Sequence, residues 1–240
     1  MMTVIQARGL DHRALNDAIR QETECTVTGC LGQRFIASGM KDRRIVLEGV
    51  PGNALGAYLT GAQIVVRGNA QDAVGDTMND GRIEIHGSVG DAVGYAMRGG
   101  RILVQGSAGY RAGIHMKEYK EKKPVIVIGG RTGSFLGEYQ AGGVIVVLGL
   151  HTDGKPIVGN FPCTGMHGGK LFLRGDLTGI DFPRNVTLRP ASEADMAELM
   201  PCLEDYCAAF GADIAALLAV PFTVIVPDSA NPYKQLYVAN

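Results

Sequence analysis

Surplus charge is missing from this chain: 23 Lys and Arg stand against 24 Asp and Glu, a formal net charge of -1 over 240 residues. Such a balance offers no basic field to a nucleic acid or an anionic membrane surface. Long apolar runs are missing too. Runs such as Val144 to Leu148 are short, whereas a membrane-spanning helix needs roughly 20 such residues. Met1 to Gln6 has no apolar core of the signal-peptide kind. Cysteine is sparse and unpatterned, with five in all: Cys25-x4-Cys30, Cys202-x4-Cys207 and Cys163 alone. Neither pair has the spacing of a zinc knuckle, and no iron–sulfur run is complete. A Gly-x-Ser-x-Gly elbow is absent, so a serine hydrolase has no sequence support. These absences predict a soluble, cytoplasmic protein with reduced, buried thiols.

What is abundant is glycine, 34 residues in all, about twice ordinary usage. Its placement is periodic. Gly49, Gly68, Gly87 and Gly106 are 19 residues apart, and so are Gly56, Gly75, Gly94 and Gly113. One aliphatic column keeps the same step: Ile45, Ile64, Ile83, Ile102, then Ile126, Ile145 and Leu171. Two residues on, a second reads Leu47, Val66, Ile85, Val104, Ile128, Val147 and Leu173. A repeat of 19 residues has no room for a strand plus a crossover helix. It suits short strands joined by tight corners and stacked coil on coil.

The expected fold is therefore an all-β solenoid, a right-handed single-stranded parallel β-helix of about seven coils over residues 45 to 175. Strand alternation puts both aliphatic columns inside, and the positions beside them, such as Glu84 and Arg67, outside. The period slips twice. Extra residues fall in Lys117 to Lys123 and between His151 and Thr164, predicting surface loops that break the symmetry of the repeat. Short helical caps are expected at both termini. Three segments follow: an N-terminal cap over 1–44, the β-helix over 45–180 and a C-terminal helical cap with a final strand over 181–240. Asp11 is an N-cap candidate for a helix over 11–22, and Thr23 to Ser38 predicts lead-in strands. Ser192 predicts a helix start, Pro201 a break or restart, Gly211 a stop and Phe222 to Val226 a strand. From Asp228 the polar tail is expected to be extended.

Candidate chemistry is thin. Gly149-Leu150-His151-Thr152-Asp153-Gly154-Lys155 fits the first seven positions of a phosphate-binding loop, but Pro156 stands where Ser or Thr would hold magnesium. Asp72 and Asp91 recur at one phase and suit turn capping better than acid–base work. His86 falls in an outward column. His115 and His167 lie beside methionines near the two inserts, as corner residues or as the lining of a surface groove. No residue is assigned a catalytic, cofactor-binding or metal-binding role.

Gly68 to Gly75, Gly94-Tyr95-Ala96-Met97-Arg98-Gly99-Gly100 and Gly165-Met166-His167-Gly168-Gly169 resemble the GXGXG repeat domain that closes the large subunit of glutamate synthases. The resemblance runs roughly from Asp11 to Tyr233, and Pro221 to Pro227 is similar to that subunit's last strand. Gln140 departs from the pattern, since Met78, Met97 and Met116 hold the equivalent place. The resemblance implies a free-standing, non-catalytic subunit. Its partners would be a class II glutaminase subunit and an FMN-dependent glutamate synthase subunit, with FMN and an iron–sulfur cluster in the latter. A subunit of formylmethanofuran dehydrogenase carries a similar β-helix, which gives the alternative assembly.

Overall fold

The computed structural model describes residues 3–228. In chain order its elements are β1 (Thr3–Gln6), α1 (His12–Arg20), β2 (Glu24–Leu31), β3 (Arg44–Val50), β4 (Thr60–Arg67), β5 (Asp80–Ile85) and β6 (Arg101–Val104). There follow β7 (Val125–Ile128), β8 (Ala141–Val147), β9 (Gly168–Arg174), β10 (Val186–Pro190), α2 (Glu193–Phe210), α3 (Ile214–Leu218) and β11 (Phe222–Pro227). Strands β1 to β9 pair in parallel, each with the next, to make a solenoid of about eight turns. The ladder starts earlier than the clear repeat: β1 pairs with β2, and Cys25 and Val27 of β2 lie opposite Ile45 and Leu47.

Register follows the sequence columns. Ile45, Ile64, Ile83, Ile102, Ile126, Ile145 and Leu171 are successive partners, all fully buried. The corners explain one glycine phase. Gly94 has φ +68°, and a Cβ there would lie 2.3 Å from Cδ1 of Ile126, so the next coil's isoleucine fills the space a side chain would need. Other corner positions use left-handed backbone without glycine. Ala73, Thr77 and His115 have φ between 51 and 56°. Each donates its N–H to a carbonyl of the next coil, on Asp91, Tyr95 and Glu138, at 2.7 to 2.9 Å. Those bonds offset a backbone cost of ~1–2 kcal/mol per residue.

Polar side chains form further rungs. Asn69, Ser88 and Ser107 each accept the backbone N–H one coil on, from Ser88, Ser107 and Arg131 at 2.8, 3.1 and 3.2 Å. Asp72 and Asp91 do the same for Asp91 and Tyr110, at 2.9 and 2.8 Å. Both aspartates therefore work as backbone acceptors between coils.

At the N-terminal end, α1 buries Leu15 and Ile19 against the core, and Asp11 caps it by accepting from Arg13 N and Ala14 N. At the other end β11 pairs antiparallel with β9 and with the unanticipated β10. The expected extension of the tail from Asp228 falls on residues 229–240, outside the described residues.

Three expectations need correction. First, helix α2 is unbroken from Glu193 to Phe210 with Pro201 inside it. It is fixed by tertiary contacts on both sides of the proline, through Leu199, Cys202, Leu203 and Tyr206. Second, the outward column faces solvent only in part. From Leu103 through Val127 and Val146 to Phe172 it is apolar and buried, packed under α2 and α3 as a second core. Third, Glu84 is half-buried at this flank and ion-paired to Arg82, while Arg67 is exposed as expected.

Candidate docking faces

One flank of the solenoid is thus closed by its own chain, through α2 and α3. The closed flank is held by charge at its rim. Arg82 and Arg101 both meet Asp205 of α2. Lys170 bridges Asp195 and Glu198 at 2.8 Å each, Lys123 reaches Glu198, and Arg189 pairs with Asp195. Asp195 is almost fully buried at the start of α2. Its Arg189 partner holds the carboxyl well below the usual carboxylate range, against burial, with Lys170 and Ser192 helping.

His86 lies at the far end of this flank. Its ring meets Phe210 edge-on at 5.0 Å, and Nε2 is 3.2 Å from Arg67 Nη1. Partial burial, then the Arg67 charge, push its pKa down, with Glu84 opposing. His115 and His167 differ in their surroundings. His115 precedes Met116 and is exposed, whereas His167 follows Met166 and sits half-buried with Nδ1 3.0 Å from the Gly165 carbonyl.

The loop Gly149 to Lys155 closes on itself through Lys155 N–H to Thr152 O at 3.0 Å, and β9 is the next regular element. With Arg174 it lines an open cleft of about 440 Å³. Arg174 already donates to the carbonyls of Leu217, Ala216 and Leu148. Among the described residues a strand and not a helix follows this loop, so the loop-to-helix cradle of a phosphate-binding loop does not form. All five cysteines are free thiols. Burial pushes the thiols of Cys25, Cys30 and Cys202 up to about 11 and that of Cys163 to about 12. Cys207 is half-buried and shifted the same way. Thiols held protonated are poor nucleophiles and poor ligands.

The inserts do form surface features. The first is a small turn bridged between Tyr119 and Lys122, with Lys122 paired to Asp80 at 2.7 Å and Glu118 accepting from Gly143 N. The second leads to Phe161, which is 60% exposed and packs on Phe135 at 5.3 Å. Aromatic stacking across coils was not foreseen. His115 stacks flat on Tyr139 at 5.2 Å and meets Tyr95 edge-on at 6.0 Å, while Arg111 lies over Phe135. The signal was available: Tyr139 follows His115 by 24 residues, the length of that coil with its insert.

Nine parallel strands stacked coil on coil define a parallel β-solenoid. The chain belongs to the GXGXG motif family, which matches residues 12–229 and is the domain found in the glutamate synthase large subunit. It is 41% identical to the uncharacterized protein MJ1350 of Methanocaldococcus jannaschii, over 98% of this chain and 95% of that protein. In fold it is similar to a chain of the formyltransferase/hydrolase complex (FhcABCD) of Methylorubrum extorquens, solved with methylofuran. The TM-score is 0.64 at 18% identity, covering 93% of this chain and 90% of that one. No helix among the described residues is long and apolar enough to cross a membrane.

Proposed function

We propose that this chain is a non-catalytic, architectural subunit of a multi-subunit enzyme, holding catalytic polypeptides in a fixed relation. The observation that supports it most is end-to-end likeness. Almost the whole chain corresponds to almost the whole of one polypeptide in a complex named for formyl transfer and hydrolysis. A solenoid stacked coil on coil, with a second core locking its flank, is a stiff spacer suited to that work. On this reading the assembly is of the formyltransferase or formylmethanofuran dehydrogenase kind, and the reacting groups sit on partner chains.

A glutamate synthase-type assembly is the second reading, favoured by the family match over residues 12–229. Its partners would be a class II glutaminase subunit and an FMN-dependent synthase subunit bearing the FMN and the iron–sulfur cluster. One experiment separates the two. The chain is tagged at its natural locus, the assembly is isolated, and its stoichiometric partners are identified by mass spectrometry and assayed. Formyl transfer or hydrolysis supports the first reading. Flavin absorbance with glutamine-dependent glutamate formation supports the second. A chain that isolates alone and turns over either substrate contradicts both.

A further inference from the structure

Tyr95, His115 and Tyr139 form a continuous aromatic strip across three coils, with Tyr95 and His115 exposed and Tyr139 half-buried. Two of these positions have left-handed backbone, with φ 55° at His115 and 52° at Tyr139. The fold does not require bulk there, because Thr77 and Ala96 occupy the same corner of earlier coils at φ 51° and 50°. Beside the strip, Arg98 and Lys117 occupy one column on adjacent coils, with Lys117 N–H bonded to Met97 O at 3.0 Å. Both side chains are exposed, and among the described residues neither has a carboxylate within 4.0 Å. Two like charges stacked one coil apart repel each other. The first insert begins at Lys117, so this face departs from the regular repeat.

We infer that this strip, with Arg98 and Lys117 at its rim, is the docking face for an acidic surface of a partner subunit. The inference rests on the architectural role proposed above. Aromatic side chains supply contact area at little entropic cost, and the two cations set orientation and association rate. An acidic protein surface is favoured over a nucleic acid because the chain as a whole carries a net charge of -1.

The test uses the native complex isolated from its source. Hydroxyl-radical oxidation of Tyr95, His115 and Tyr139 is compared between complex and isolated chain. Burial at a partner predicts oxidation slowed about threefold or more at all three. Arg98→Glu with Lys117→Glu predicts about tenfold slower association at low salt, and Arg13→Glu on the distant helix α1 a change of less than about twofold. A complex that forms with the strip unprotected overturns this inference and leaves the architectural role standing. A chain that never associates overturns both. Stoichiometric nucleic acid on the strip, seen as 260 nm absorbance lost with nuclease, overturns the choice of an acidic protein.

Discussion

The hydroxyl of Tyr206 on α2 occupies the place where a side chain on Gly129 would be. A Cβ on Gly129 would fall 2.0 Å from that hydroxyl and 2.2 Å from the Gln105 carbonyl, to which Tyr206 donates at 3.2 Å. The bare backbone at Gly129 is thus the socket that seats α2 on the flank. Tyr206→Phe is expected to cost ~1 kcal/mol, the worth of one hydrogen bond. Gly129→Ala is expected to cost more and to raise hydrogen exchange throughout α2. Equal midpoints for Gly129→Ala and wild type would show that the socket is not needed.

The glycine corner makes a second prediction. Gly94→Val combines a strained φ with a clash on Ile126, so it should lower stability by ~1–3 kcal/mol or more. Arg67→Ala, at an exposed site, should stay within ~0.5 kcal/mol. Denaturant midpoints check both. Adding Ile126→Val to Gly94→Ala should recover part of the loss, because Cδ1 is the atom that a new Cβ meets first, at 2.3 Å.

Acid should loosen the flank. The folded pKa of Asp195 lies below its unfolded value of ~3.9, depressed chiefly by Arg189. Stability from this group is therefore present above ~pH 4 and is lost as pH falls toward the folded value. Wild type should show a falling denaturant midpoint below ~pH 4. Asp195→Asn should be weaker at neutral pH and show a shallower acid loss. An unchanged acid slope in the variant would remove Asp195 from the explanation.

Gln140 is the buried outlier among the methionine positions. Its Nε2 donates to the carbonyls of Gly142 and Gly143 at 3.2 Å each, and its Oε1 has no partner among the described residues. An unpaired buried acceptor costs ~1–3 kcal/mol. Gln140→Met, restoring the residue type of neighbouring coils, is expected to match or exceed wild-type stability. A clear loss would show that the two donated bonds outweigh the orphaned oxygen.

The inner core was legible because aliphatic residues recur in step, and Ile64, Ile83 and Ile102 needed no more than counting. Alternation alone misplaced the outer face. The column beside the core reads Val46, Val65 and Glu84, then turns wholly apolar at Leu103, Val127, Val146 and Phe172. That change signals a cover, but the cover comes from α2, about 20 residues beyond the last coil in sequence. Pro201 misled for the same reason, since its local penalty is outweighed by packing that only the tertiary fold supplies. The left-handed corners at Ala73, Thr77 and His115 left no composition signal, because their inter-coil hydrogen bonds rather than glycine hold them. The His115–Tyr139 strip emerges once the 24-residue coil is aligned with its neighbours, and its cationic rim depends on which carboxylates lie nearby.

The central claim is that the chain holds other polypeptides together and does no chemistry itself. Its most direct test is native mass spectrometry of the isolated assembly from cells with and without this chain, with turnover measured on both samples. The expected result is that the catalytic polypeptides associate and work together only when the chain is present. Catalytic polypeptides that stay assembled and fully active in its absence would contradict the claim.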